Sequence, residues 1–181
     1  MSQSPPTSTE MSRSAPQLIR GAESPAFLLA QVGGHAAASF AERLRGLDLV
    51  PADAGILRIV QATEGISQQA LGRELGVAPS RLVASIDDLE ERGLVERRDQ
   101  PSDRRSYALY VTSKGKDVLR RIAQIAREHQ QALCAALTDT EREQLARLLK
   151  RIADEQGLRP GVHPGFGRLA KAGPFGPAPA R

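Results

Sequence analysis

Aromatic side chains are scarce in this chain of 181 residues: Phe, Tyr and Trp together make up 3% of it, and Trp is absent. A core must therefore be built from Leu, Ile, Val and Ala, and this composition, without long β-branched runs, favours a mainly helical protein. The single cysteine, Cys134, excludes an internal disulfide and is typical of a reducing compartment. No stretch approaches the roughly 18 uncharged apolar residues that span a bilayer, and residues 1–17 lack the apolar segment of a secretion signal. We therefore expect a cytoplasmic protein without a membrane partner.

The chain also lacks the residue patterns that mark most enzymes. It contains no Gly-rich phosphate loop, no Ser-His-Asp set and no paired carboxylates in a plausible cleft. The three histidines, His35, His129 and His163, do not have the spacing of metal ligands. We therefore expect no catalytic residue, metal ion or cofactor. His35 lies on the apolar face of the first predicted helix, where it is either a buried, hydrogen-bonded histidine or part of a ligand pocket.

The formal charge of +4 at pH 7 is distributed unevenly along the chain. Residues 158–181 contain four basic residues and no acidic one, and residues 92–116 contain seven basic residues against three acidic ones. Acidic residues elsewhere in the middle of the chain balance the second cluster. In a domain whose positive and negative charges balance, the position of a basic segment indicates a binding surface better than the total charge does.

The two ends of the chain differ in composition from its middle. Residues 1–23 are rich in Ser, Pro, Thr and Gln and are predicted to form a disordered arm. Residues 158–181 are rich in Pro and Gly and are predicted to form a flexible basic tail. Residues 24–157 remain as a single domain.

Within this domain, helix-start residues and periodic apolar positions predict six helices. Between the fourth and fifth helices the apolar period changes to that of a strand, which predicts a short β-hairpin around Pro101-Ser102-Asp103. The predicted elements are helix 1 from Ser24-Pro25 to about Arg45, helix 2 from Pro51 to Gly65, helix 3 from Ser67 to Gly76, helix 4 from Pro79 to Gly93, the strands "LVERR" and "SYALYVT", helix 5 from about Ser113 to Leu137, and helix 6 from the capping box at Thr138–Glu141.

Helix 3, helix 4 and the hairpin follow one another in the order of a winged helix-turn-helix. In such a domain the second helix enters the major groove of DNA, and Arg81 and Ser85 share the face that would contact base edges. The narrow hairpin tip suits the minor groove, where paired cations meet concentrated negative potential. We expect Asp103 to hold Arg105 in place while Arg104 reaches a phosphate. The predicted DNA-contacting residues are Ser67, Gln68, Gln69, Pro79, Ser80, Arg81, Ala84, Ser85, Arg97, Arg98, Asp103, Arg104 and Arg105.

These residues also have plain structural explanations. The arginines of the hairpin could belong to an ordinary solvated turn, and Ser80 and Arg81 could be a cap and a surface residue. Asp87 and Asp88 on helix 4 would repel phosphate, so we expect them to form ion pairs with neighbouring Arg or Lys.

The stretch "ISQQALGRELGVAPSRLVASIDDLEERGLVERRDQPSDRRSYALYVTSKG" resembles the DNA-binding core of the MarR family, the multiple-antibiotic-resistance regulators. The distinctive pieces are "LEERGLVERR", "DRR" and "VTSKG", and with the flanking helices the resemblance covers roughly residues 24–157. It implies a homodimeric transcriptional regulator, usually a repressor released by a small-molecule or oxidant signal, and a minor-groove role for Arg105. Family members often have Arg where this chain has Ala84 and Ser where it has Ala78, so Arg81 is expected to supply the missing base contact.

Helices 1, 5 and 6 carry apolar faces that are wider than a lone winged helix-turn-helix could bury. We therefore expect an intertwined dimer, with a DNA-binding lobe at about residues 51–112 and dimerisation helices at about residues 24–46 and 113–157. Two recognition helices about 34 Å apart would match a pseudo-palindromic operator. A small-molecule effector is expected between the dimer helices and the DNA-binding lobe.

Two other functions stay open on the sequence alone. The winged helix could be a protein–protein interaction module, in which case its basic face would not be needed for nucleic-acid binding. The protein could also be a redox-switched regulator, although peroxide sensors of this family keep the reactive cysteine near the chain start, whereas Cys134 lies late in helix 5, where it could simply pack. The basic tail either adds non-specific DNA affinity or is a linker.

Overall fold

The computed structural model describes residues 24–100 and 103–163, with the side chains of residues 100 and 103–106 excepted. Within these residues the chain forms six α-helices, one 3-10 helix and three strands, which confirms the mainly helical winged helix-turn-helix fold. The predicted arm at 1–23 and residues 164–181 of the predicted tail lie outside the described residues. In chain order the elements are α1 (Pro25–Leu44), the 3-10 helix (Arg45–Leu47), α2 (Pro51–Ala62), β1 (Ile66–Ser67), α3 (Gln68–Leu75), α4 (Pro79–Glu91), β2 (Val95–Gln100), β3 (Asp103–Val111), α5 (Ser113–Leu133) and α6 (Asp139–Glu155).

The helices begin where local capping residues predict. The Ser67 and Thr112 hydroxyls each accept a hydrogen bond from the backbone N–H three residues later, at 3.2 and 3.0 Å. Thr138 and Glu141 form the predicted capping box at the start of α6. Such bonds satisfy N–H groups that the first turn of a helix leaves unpaired, so they place helix starts with little dependence on the rest of the fold.

The core is aliphatic, as the composition predicts. The fully buried side chains are donated by the end of α1, by α2, α3 and α4, and by the sheet. The largest of them are Leu44, Ile56, Leu57, Leu71, Leu82, Ile86, Leu89, Leu94, Leu109, Val60 and Val95. Each contributes roughly 1.5–3 kcal/mol by leaving water.

Asp53 is a buried acidic residue in this aliphatic core, with 8% of its surface exposed. Its carboxylate accepts a hydrogen bond from the Val50 N–H at 2.9 Å, at the start of α2. Burial raises the pKa of this carboxyl, and the Val50 hydrogen bond opposes that rise. Asp53 therefore serves α2 as a capping group.

Contacts within the chain divide it into two units between Ala36 and Ala37. The described part of the first unit is the N-terminal portion of α1, where the Ser24 hydroxyl accepts a hydrogen bond from the Phe27 N–H at 3.3 Å, as the predicted cap requires. The second unit contains the end of α1 and the elements that follow it.

His35 is exposed on α1, so it is not buried as one of the two explanations expected, and its place in a ligand pocket stays a prediction. Phe27, Leu28 and Val32 of the same helix are also 43–50% exposed. Helical periodicity identifies an apolar face but does not show what covers it.

The sheet has three antiparallel strands in the order β1-β3-β2, one strand more than the sequence predicts. The missed strand, β1, pairs Ile66 with Leu109 and Ser67 with Ala108. Two residues are too few to show an alternating pattern, and β1 exists because β3 lies beside it. Through this pairing the wing is hydrogen-bonded to the segment that opens α3.

α5 ends at Leu133, four residues before the predicted end at Leu137. Because α6 begins at Asp139, the intervening residues are needed for a turn, in which the Leu137 N–H donates to the Cys134 carbonyl at 3.0 Å. Arg142 of α6 donates a second hydrogen bond to the Leu137 carbonyl at 2.9 Å.

Among the helices of the described ranges, none is both long and apolar enough to cross a bilayer.

Residues 158–163, where the sequence predicts the start of a flexible tail, lie against the body of the second unit. Arg159 and Gly161 make hydrogen bonds with α3 and α2, and Val162 packs against the core. A Pro- and Gly-rich composition predicts the lack of helix or strand here, but packing depends on partners far away in the sequence.

Candidate nucleic-acid interface

The turn between α3 and α4 is tight because of two glycines. Gly76 ends α3 with φ +70°, a left-handed conformation that favours glycine. At Gly72 a Cβ atom would lie 2.8 Å from the Val77 carbonyl oxygen and 3.3 Å from Pro79 Cγ. The absence of a side chain at Gly72 therefore lets α3 approach the start of α4 closely, as a helix-turn-helix requires.

The predicted contacts at the start of α3 take part in this scaffold. Ser67 caps the helix, and Gln68 Nε2 donates a hydrogen bond to the Pro79 carbonyl at 3.0 Å. That bond ties the first residue of α3 to the first residue of α4. Gln69 is exposed. A DNA contact by these three residues stays a prediction.

α4 presents one buried face and one open face. Leu82, Ile86 and Leu89 are 0% exposed and fasten the helix to the core. The predicted contacts lie on the other side: Pro79, Ser80, Arg81 and Ala84 are exposed, and Ser85 is half-buried. The face of α4 that the helical spacing predicted to contact bases is therefore the face that is open in the structure.

The N-terminus of α4 is suited to an anion. Its cap residue is Ala78, which has no side-chain oxygen for the first-turn N–H groups, and the first turn contains no acidic residue. The positive end of the helix dipole favours negative charge at this point.

β2 and β3 form the predicted hairpin. Their register is regular along five successive pairs and shifts between Asp99 and Gln100, next to the tip. Asp103, Arg104 and Arg105 belong to β3 at this end of the hairpin, but their side chains lie outside the described residues. The Asp103–Arg105 pair and the DNA contacts of both arginines therefore stay predictions.

Arg97 links the hairpin to α4. Its guanidinium makes ion pairs with Asp87 and Glu90 of α4, its backbone N–H donates to Glu90 at 3.1 Å, and its side chain is only 18% exposed. Burial alone would lower the pKa of Arg97, but the hydrogen bonds to Asp87 and Glu90 outweigh it and raise the pKa. The phosphate contact predicted for Arg97 is untested, whereas its side chain has a structural role that the sequence did not predict.

The strand pattern contained a signal for this role. Val95 is buried, and Arg97, two residues later, shares its face of β2. Asp87 and Glu90 stand three residues apart on α4 and so occupy one side of that helix. The expected ion pairs of the two aspartates are confirmed: Asp87 pairs with Arg97, and Asp88 pairs with Arg92 at 3.1 Å.

Arg98 lies on the opposite face of β2 and is 60% exposed. It pairs with Glu96, and its guanidinium carbon stacks 4.3 Å from the centre of the Tyr110 ring. The stacking directs the guanidinium along the outer surface of the wing. A phosphate contact by Arg98 stays a prediction.

Comparison with known proteins identifies the family. A sequence model described as the MarR family matches residues 47–106, from the end of the 3-10 helix to the wing. A putative transcriptional regulatory protein for the hcr operon of Thauera aromatica is 38% identical over 106 residues, which are 59% of this chain and 64% of that protein. The structure of the transcriptional repressor CouR bound to a 23-mer DNA duplex is 31% identical, with a TM-score of 0.66, over 74% of this chain and 95% of CouR. The chain belongs to the MarR family.

Two further solved structures resemble this MarR-family chain. Apo MarR from Escherichia coli is 26% identical, with a TM-score of 0.64, over 71% of this chain and 96% of that one. CouR from Rhodococcus jostii RHA1 bound to p-coumaroyl-CoA is 28% identical, with a TM-score of 0.59, over 73% of this chain and 93% of that one. The chain spans 64% of the length of the Thauera aromatica protein and 52% of the length of a second curated relative, the transcriptional repressor MprA of Escherichia coli.

Proposed function

We propose that this MarR-family chain is a transcriptional repressor that binds a pseudo-palindromic DNA duplex as a homodimer and is released by a small-molecule effector. The observation that carries the proposal is the pairing of an open α4 face with a hairpin held to the same helix through Arg97. A helix and a wing in a fixed relation can occupy adjacent grooves of one duplex.

The charges at this surface support an anionic partner. The first turn of α4 has no acidic residue and no side-chain cap. Arg81 in this turn and Arg98 on the wing are both exposed. Asp87, which would repel phosphate, is ion-paired with Arg97, which also pairs with Glu90. The DNA-bound state of CouR, which resembles this chain, supports the same assignment.

Exposed apolar residues support the homodimer. α1 exposes Phe27 and Val32 by about half, and α6 exposes four apolar side chains by 38–47%: Leu145, Leu148, Leu149 and Ile152. Apolar faces of this extent are rarely left in water by a soluble monomer. A two-fold dimer would cover equivalent faces on both copies.

A cavity supports the effector. It has a volume of about 340 Å³ and is lined by Phe40, Pro51, Ala54, Gly55, Arg58, Gly161, Val162 and His163. Burial lowers the pKa of His163, so Arg58 supplies the lasting positive charge of the lining. An apolar wall with one cation suits a small apolar molecule that carries an anionic group. The complex of CouR with p-coumaroyl-CoA supports an effector of that broad chemistry.

DNA binding is tested by pulling down genomic fragments with the purified protein, sequencing them, and titrating the recovered duplex and a scrambled duplex at two salt concentrations. We expect Arg105→Ala to lose about 1–3 kcal/mol of binding free energy on the recovered duplex, because a minor-groove arginine contributes that much. Arg121→Ala, which removes the same charge from an exposed position on α5, is the control and should leave binding nearly unchanged.

A wild-type protein that binds no duplex at either salt concentration would refute the repressor and favour a protein–protein interaction module. If the wild-type protein binds and Arg105→Ala binds equally well, the hairpin tip does not enter the minor groove.

A further inference from the structure

The peptide that follows α6 reaches the turn of the helix-turn-helix. The Arg159 guanidinium donates a hydrogen bond to the Arg73 carbonyl and lies 3.4 Å from the Glu74 carbonyl oxygen. Both carbonyls belong to the last turn of α3, and the Arg73 carbonyl also accepts a hydrogen bond from the Gly76 N–H at 3.3 Å. Arg159 thus caps α3 from 86 residues away in the sequence. A cation at this end also complements the negative end of the helix dipole.

The contact depends on the absence of a side chain at Gly76. A Cβ atom at that position would lie 3.1 Å from Arg159 Nε, tighter than ordinary packing. The same turn borders a cavity of about 620 Å³ whose lining includes Arg73, Val77 and Arg159. Arg159 therefore reaches the turn through its guanidinium rather than through extensive apolar packing.

The other end of this peptide is anchored independently. Arg58 of α2 donates a hydrogen bond to the Gly161 carbonyl at 2.6 Å, and Val162 packs against the core. The His163 ring lies 5.8 Å from the ring of Phe40, centre to centre. Residues 159–163, which we call the C-terminal segment, thus join α2 and the end of α1 to the turn that precedes α4.

We propose that Arg159 is a positioning residue for DNA binding, which holds the α3–α4 turn so that α4 presents its open face at the angle a groove requires. The inference rests on the proposed function. Arg159 acts through backbone carbonyls and touches no DNA. Its loss would let the turn shift and would raise the cost of docking α4, without removing a phosphate contact.

The test compares Arg159→Ala with the wild-type protein, with Arg159→Lys and with Arg121→Ala as a charge-matched control. Affinity for the recovered duplex is measured from low to high salt, and hydrogen exchange is followed at the backbone N–H groups of residues 76–81. We expect Arg159→Ala to bind about tenfold more weakly and to exchange faster at the turn, since a hydrogen bond to a charged group is lost. The slope of log affinity against log salt should stay that of the wild-type protein, and Arg159→Lys should recover part of the affinity.

Arg58→Ala releases the other anchor without touching α3, and we expect a smaller loss in the same direction. This variant keeps the test decisive if Arg159→Ala proves poorly folded. A salt slope that falls by about one unit for Arg159→Ala would mean a direct phosphate contact and would overturn the inference. Unchanged affinity in both variants would overturn it as well. Failure of the wild-type protein to bind any duplex would instead refute the proposed function.

Discussion

The sequence around Arg97 suggests a DNA contact, whereas the contacts of its side chain in the fold are those of a structural residue. It lies in the most basic stretch of the chain, yet two carboxylates of α4 hold its guanidinium and leave its side chain 18% exposed. An arginine that leaves these partners for a phosphate would leave Asp87, which is 56% exposed, and Glu90, which is 37% exposed, without their cation. The cost of leaving charged groups unpaired favours the internal pairs over the phosphate.

We expect Arg97→Met to lower the free energy of unfolding by about 2 kcal/mol, because the hydrogen bonds to Asp87 and Glu90 are lost. Urea denaturation measures this change. Arg98→Met is the matched control on the same strand: Arg98 is 60% exposed, so its loss should cost less than about 1 kcal/mol.

DNA binding separates the two arginines further. The salt dependence of affinity should stay unchanged in Arg97→Met and should weaken in Arg98→Met. The opposite pattern, an unchanged stability with a reduced salt slope in Arg97→Met, would restore the phosphate contact that the sequence predicted.

Local sequence signals determine where α6 begins, but they do not determine what the helix packs against. Its capping box at Thr138 and Glu141 places its start, and its apolar residues repeat with helical period. The residues of this stripe are nevertheless exposed by 38–47% in the single chain: Leu145, Leu148, Leu149 and Ile152. Within the part of the chain that the structure describes this stripe stays partly exposed, which supports the proposed homodimer.

We expect Leu149→Glu to shift the protein from dimer to monomer at micromolar concentration, because a carboxylate in an apolar interface is costly to desolvate. Sedimentation velocity measures the shift. Gln144→Glu adds the same charge at an exposed position of α6 and should leave the dimer intact.

The affinity for the operator should fall by at least roughly tenfold in Leu149→Glu, since only a dimer engages both half-sites. A wild-type protein that sediments as a monomer, or a Leu149→Glu variant that remains dimeric, would contradict the assignment of α6 to the dimer interface.

At the scale of the whole molecule, the proposed effector cavity and the α3–α4 turn share the C-terminal segment. Gly161, Val162 and His163 line the 340 Å³ cavity, while Arg159 holds the end of α3. A ligand shifts a conformational equilibrium only by its difference in affinity between two states. A ligand that contacts the C-terminal segment could distinguish two placements of the turn, and so couple effector binding to DNA release.

We expect Ala54→Leu to weaken effector binding while leaving operator binding within a few-fold of wild type, because Ala54 lines the cavity and a larger side chain fills it. Thermal-shift screening of small aromatic carboxylates and their thioesters, followed by operator release, measures the effect. Ala62→Leu makes the same change at an exposed position of α2 and should respond like the wild-type protein. Equal ligand responses in both variants would place the effector elsewhere.

The sequence by itself determined the helix starts, the aliphatic core, the helix-turn-helix and the wing. Their signals are local, because a cap bonds three residues along the chain and a stripe repeats every three or four. Only the tertiary structure decided the pairing of β1 with β3, the ion pairs of Arg97 and the docking of Arg159 on α3. Each of these joins residues that are separated along the chain, up to 86 positions for Arg159 and Arg73. Local patterns show which groups can form bonds, and the fold of the whole chain determines which of these groups come into contact.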